Sequence, residues 1–195
     1  MFNHRMAIAA SCIAVLGISS VPRIAADEHD KKTFVTISAP VEIPGKVLLP
    51  GTYVFKLLDS SSNRNIVQIF DEDQKHLQAT ILAVPDYRLK PPDKPLILFE
   101  ERPSGTPMAV KAWFYPYDSY GEEFVYPHKQ AVAIAKRTNQ NVLSMRDDLT
   151  KNLAAPSTTA GDASVQELKK TDVAGVNPAG DPVELIVVVS TTPGK

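Results

Sequence analysis

With 22 acidic against 21 basic side chains in 195 residues, the chain has a formal charge of −1, and whole-chain electrostatics give it no pull toward nucleic acid or anionic lipid. A single cysteine, Cys12, excludes a disulfide framework and a Cys-based metal site. No G-x-S-x-G elbow, H-E-x-x-H pair, P-loop or G-x-G-x-x-G turn occurs, so the common hydrolase, zinc, phosphate and dinucleotide chemistries lack their residues.

The chain opens MFNHR, runs apolar from Met6 to Val21 and reaches Ile24-Ala25-Ala26 before the charged Asp27-Glu28-His29-Asp30. A basic start, an apolar middle and small residues before a polar stretch predict a signal peptide over 1–26, cut after Ala26. Pro22 and Arg23 end the apolar run short of the roughly 20 residues a bilayer needs, so no transmembrane anchor is expected in the mature chain. Removing 1–26 takes away Cys12, Arg5 and Arg23, leaving 19 basic and 22 acidic side chains and a net charge of −3. Export without cysteines predicts a bacterial periplasmic or extracellular protein.

From residue 33 onward, apolar residues alternate with polar ones in short runs punctuated by proline and glycine, the period of half-buried strands. Strands are expected at 33–38 and 53–58, separated by a turn system around Pro44-Gly45 and Pro50-Gly51 that suits type II turns. Further strands are expected at 65–70 and 76–84, joined by a solvated hairpin tip at Asp71-Glu72-Asp73-Gln74-Lys75, which lacks the spacing of a calcium loop. Four prolines then predict that 85–95 is an extended connection outside any ladder. Strands resume at 96–100, 108–115 and 123–126. Pro127 then opens one short amphipathic helix near 128–138, with Ala131, Ile134, Ala135 and Thr138 on one side. The β domain is thus bounded at 27–143. A flexible linker rich in Ala, Pro, Ser, Thr and Gly follows at 144–182, with at most a helical turn or two near Val165, and the apolar stretch 183–190 reads as a terminal strand. About seven or eight short strands with one helix predict a mainly β, antiparallel β-sandwich, with a small β-barrel as the alternative.

Chemistry concentrates in KAWFYPYDSYGEEFVYPH, residues 111–128, which holds the one Trp and four of the six Tyr. Alternation places Lys111, Trp113 and Tyr115 on one face and Ala112 and Phe114 on the other. Trp113 and Tyr115, continued by Tyr117 and Tyr120, form a candidate aromatic strip for a cell-wall glycan or an envelope protein. The bland alternative is that these rings pack into a second small core. Glu122 and Glu123 are neighbours and point to opposite faces, so an acid/base pair for glycan hydrolysis needs partners drawn from Glu100, Asp118 and Glu122 across strands. No cofactor and no metal are expected, because His29, His76 and His128 are scattered and no cysteine supports them.

The runs VEIPGKVLLPGTYVFKL, SSNRNIVQIF, ILAVPDYRLKP, FEERPSGTP and KAWFYP…GEEFVYP resemble an uncharacterised family of secreted bacterial proteins over residues 32–140. That resemblance implies export and the domain limits, and transfers no site. Leu49-Pro50-Gly51-Thr52-Tyr53 is similar to the turn that leads into a strand in prealbumin-like and carboxypeptidase-regulatory-like sandwiches. It implies a noncatalytic module.

Overall fold

A computed structural model describes residues 31–61, 64–100, 105–154 and 159–184. The expected signal peptide and all but the first two residues of the expected terminal strand lie outside the described residues. The strands are β1 (Lys32–Ile37), β2 (Val41–Ile43), β3 (Lys46–Leu48), β4 (Gly51–Ser61), β5 (Arg64–Asp71), β6 (Leu77–Tyr87), β7 (Leu96–Phe99), β8 (Met108–Phe114), β9 (Tyr120–Phe124), β10 (Tyr126–Pro127), β11 (Val142–Met145), β12 (Ala174–Val176) and β13 (Pro182–Val183). Among the described residues, three α-helices, α1 (His128–Thr138), α2 (Thr150–Leu153) and α3 (Ala163–Lys170), lie toward the C-terminal side, with a 3-10 turn at Asp147–Leu149 leading into α2. The protein is mainly β, a sandwich, as the alternation predicts, and among the described residues its strand path does not close into a barrel.

The main sheet runs β1-β4-β5-β6-β9-β8-β2-β3, with β7 added on β8. Its neighbours are antiparallel except β2 and β8. It bends strongly over its own inner face. Phe55 of β4 stacks on Phe124 of β9 with ring centroids 6.2 Å apart, although two strands separate them in the sheet. Trp113 Nε1 on β8 donates to Thr33 Oγ1 on β1 at 3.2 Å, across five strand steps. The fold-over creates the two layers, and the core between them holds Val67, Ile69, Ile81, Trp113 and Phe124. Helix α1 covers one end of this core with Ala131, Ile134 and Ala135, the residues its spacing selects. Gln130 Nε2 donates to Glu42 Oε1 at 2.9 Å and Arg137 pairs with the same carboxylate, tying α1 to β2.

Three expectations change. The first is the linker at 144–182, whose described residues, 144–154 and 159–182, are instead part of the fold. Leu149, Leu153, Val165 and Leu168 are buried against Ile66, Leu82 and Val125 on the outer face of the main sheet, forming a second core. Burying each such side chain is worth about 1.5–3 kcal/mol, which outweighs the weak propensity of the intervening small residues. Strand β12 adds to β11, and β13 to β12, in a second sheet. The second is the proline-rich connection, because β6 continues through Pro85 to Tyr87. Among the described residues, strand β5 pairs β6 no farther than Ala83 and β9 is the partner beyond that point, so the missing N–H of Pro85 can face the side away from a ladder. The third is the turn system before β4. Pro44-Gly45 turns between β2 and β3 with Gly45 at φ 82°, whereas Gly51 simply begins β4.

Candidate functional site

Trp113 does not belong to an exposed strip. It is 1% exposed, packed edge-on to Phe55 with centroids 6.1 Å apart, so this part of the expected ligand surface is corrected to core. The outer side of β8 is covered too, since Phe114 is buried and the Arg88 guanidinium lies 5.2 Å from its ring centroid. Tyr115 is half-buried against the inner core. Tyr117 and Tyr120, by contrast, are 75% and 63% exposed.

The structure adds two residues that the sequence reading missed. Tyr87 on β6 pairs across the ladder with Tyr120 on β9, and their rings lie 5.3 Å apart. Leu89, two residues farther, is 90% exposed. The two connecting segments are tied together, because Arg88 N donates to Ser119 O at 2.8 Å and Tyr117 N donates to Pro92 O at 2.8 Å. Tyr87, Leu89, Tyr117 and Tyr120 therefore crown one end of the sandwich on a braced support.

Tyr117 adopts φ 65°, the left-handed region where a residue other than glycine, asparagine or aspartate carries steric cost. A ring that is both conformationally costly and largely solvated contributes little to the core. Strain of this kind concentrates where function holds it in place.

The carboxylates divide into two groups. On the inner face, one step in from Tyr120, Glu122 pairs across the ladder with Trp113 and is 8% exposed. Asn65 Nδ2 donates to Glu122 Oε2 at 2.6 Å. Burial pushes the Glu122 carboxyl up to about 7, with the Asp118 charge adding to the rise while Asn65 and Lys31 oppose it. Asp118 in turn pairs with Lys31 at 2.7 Å. Glu123 points to the opposite face, as its neighbour relation requires, and is also raised to about 7, mainly by burial, with Asp86 and Glu100 adding to the rise and Lys111 opposing it. Glu100 is buried and raised by that burial, with the Lys111 charge opposing the rise. It thus belongs with Glu123 and is separated from Asp118 and Glu122. Of the three expected acid/base residues, only Asp118 and Glu122 come together.

Asp71, Asp73 and His76 at the β5–β6 hairpin tip bring potential ligand atoms within 4.8 Å of one another. The turn itself already uses them: Asp71 Oδ1 accepts from the amides of Lys75 and His76, and Asp71 Oδ2 lies 2.5 Å from His76 Nδ1. A cleft of about 380 Å³ lies at the start of α1, lined by Gly45, Lys46, Pro127, Lys129, Asp147 and Thr150 among others. There Asp147 Oδ1 accepts from Lys129 N at 2.8 Å, so a side chain of the protein occupies the helix terminus.

No family model matches the chain, and no curated protein or solved structure matches it.

Proposed function

We propose that the protein is an exported, noncatalytic binding module that presents Tyr87, Tyr117 and Tyr120 to a glycan of the cell envelope or its surroundings. The observation that carries this reading is the exposed, strained Tyr117, three residues before Tyr120, together with the Tyr87–Tyr120 ring pair. Tyrosine rings supply flat apolar faces for the C–H faces of a sugar, with hydroxyls at their edges for hydrogen bonds. Bracing by Pro92 and Ser119 sets ring positions before a ligand arrives, which reduces the ordering cost of binding. Export rests on the three-part pattern of residues 1–26.

Titration of the protein with soluble chitohexaose and cellohexaose, and pull-down on insoluble chitin, cellulose and peptidoglycan, tests this reading. Tyr120→Ala and Tyr87→Ala are expected to weaken binding by tenfold or more while leaving the fold intact, in keeping with about 1–3 kcal/mol for an aromatic anchor. Glycan binding that survives both substitutions refutes the choice of surface. Capture of an envelope protein with no glycan binding replaces the ligand class.

A second reading, glycan hydrolysis, is favoured by Glu122 beside Asp118, since a buried carboxyl with its pKa pushed to about 7 can donate a proton at neutral pH. On that reading Glu122→Gln abolishes turnover of a bound oligosaccharide and leaves its binding unchanged.

A further inference from the structure

The tyrosine platform has a polar flank that the aromatic pattern alone does not disclose. Asp118 lies in the same turn as Tyr117 and Tyr120, and its Oδ2 meets Lys31 Nζ at 2.7 Å. Asp118 Oδ2 is itself buried, but both side chains are partly exposed as a whole, so the remainder of the carboxylate and of the ammonium retains room for another contact. The turn is closed by Asp118 N donating to Tyr115 O at 3.3 Å, which fixes Asp118 in the chain directly after the exposed Tyr117. We infer that Lys31 and Asp118 are the specificity-determining pair of this platform, and that the ligand they select is an uncharged glycan.

The inference deepens the binding-module reading and rests on it. Its basis is charge complementarity. One ammonium and one carboxylate in contact sum to zero, so the flank carries no net charge to favour an anionic or a cationic ligand. It does offer an acceptor beside a donor. A carboxylate oxygen of Asp118 accepts from a sugar hydroxyl, while the Lys31 ammonium donates to the neighbouring sugar oxygen. Two adjacent hydroxyls of a pyranose present that pairing. Hydrogen bonds to ionised groups are the stronger kind, so orientation of the sugar follows from this flank and area from the rings. Glu122 supports the same selection from behind. It is one step inward, held by Asn65, and its raised pKa leaves it largely uncharged below neutral pH, adding little repulsion or attraction there. A polyuronate would bring its carboxylates against Asp118.

The test is a titration of isotope-labelled protein with three probes: chitohexaose, cellohexaose and the anionic oligogalacturonate. Affinities are compared among the native protein, Asp118→Asn, Lys31→Gln and Tyr120→Ala, each checked for a native amide spectrum. The expected result is binding of a neutral hexaose, no stronger binding of oligogalacturonate, and a loss of about tenfold for Asp118→Asn and for Lys31→Gln, the size of a hydrogen bond to a charged group. If Tyr120→Ala loses binding while Asp118→Asn and Lys31→Gln stay within about twofold, well under one such bond, the inference fails and the platform reading stands. Preference for oligogalacturonate also overturns the inference. Absence of spectral change with all three probes at millimolar concentration overturns both.

Discussion

Replacing Glu122 by Gln tests the electrostatics of the inner face. Gln keeps an oxygen to accept from Asn65 Nδ2, now 2.6 Å from Glu122 Oε2, but cannot ionise. With Glu122 raised from 4.5 to about 7 in the folded protein, its proton is held more tightly by the fold than by the unfolded chain. Below pH 4.5 both states are protonated and the group imposes no penalty. As pH rises from 4.5 to about 7 the unfolded chain ionises first, so stability falls by about 1.4 kcal/mol per pH unit. Above that range the full penalty, about 3 kcal/mol, persists. At 8% exposure, solvent screening removes little of it. Urea unfolding followed by Trp113 fluorescence at pH 4 and pH 8 measures the difference. Glu122→Gln is expected to match the native protein within about 1 kcal/mol at pH 4 and to exceed it by about 2–3 kcal/mol at pH 8. An equal offset at both pH values refutes the burial account.

Leu168→Ala is expected to cost about 2–5 kcal/mol in the same assay, because Leu168 is fully buried on the outer face of the sheet; a cost under about 0.5 kcal/mol would restore the linker reading. Gly121→Ala places a Cβ 2.6 Å from the Phe114 ring and is expected to lower stability by about 1–3 kcal/mol, with a thermal midpoint unchanged from native as the contrary result. Tyr117→Asn, by easing the cost of φ 65°, is expected to leave stability equal or raise it by up to about 1 kcal/mol while weakening ligand binding, and a clear loss of stability would show that the ring serves the fold instead.

Alternation made the framework legible. Residues 33–38 and 65–70 announce β1 and β5, and Ala131, Ile134 and Ala135 announce the buried stripe of α1. It could not say which faces are covered. In β8 the period correctly separates Trp113 from Phe114, yet both are buried because the sheet folds over one side and Arg88 shields the other. Pro85 concealed Tyr87. A proline looks like the end of a ladder, but at the end of β6, where β9 is the partner among the described residues, the residue two positions on continues the pattern set by Ala83. The segment 144–182 was hidden by composition, since alanines, serines and threonines surround only a few anchors. Those anchors nonetheless recur at helical spacing, Leu149 with Leu153 and Val165 with Leu168. The separation of Glu122 from Glu123 followed from strand geometry alone, whereas Asn65 and Lys31 come from distant parts of the chain and only folding brings them to Glu122.

The most direct measurement is an amide chemical-shift map of the protein with a neutral hexaose at increasing concentration. The tyrosine-platform account predicts saturable shifts concentrated at Tyr87 to Leu89 and Tyr117 to Tyr120, with Lys31 joining them and the α1 cleft silent. Saturable shifts confined to residues around Gly45, Lys129 and Asp147, with the tyrosine turns unmoved, would contradict it.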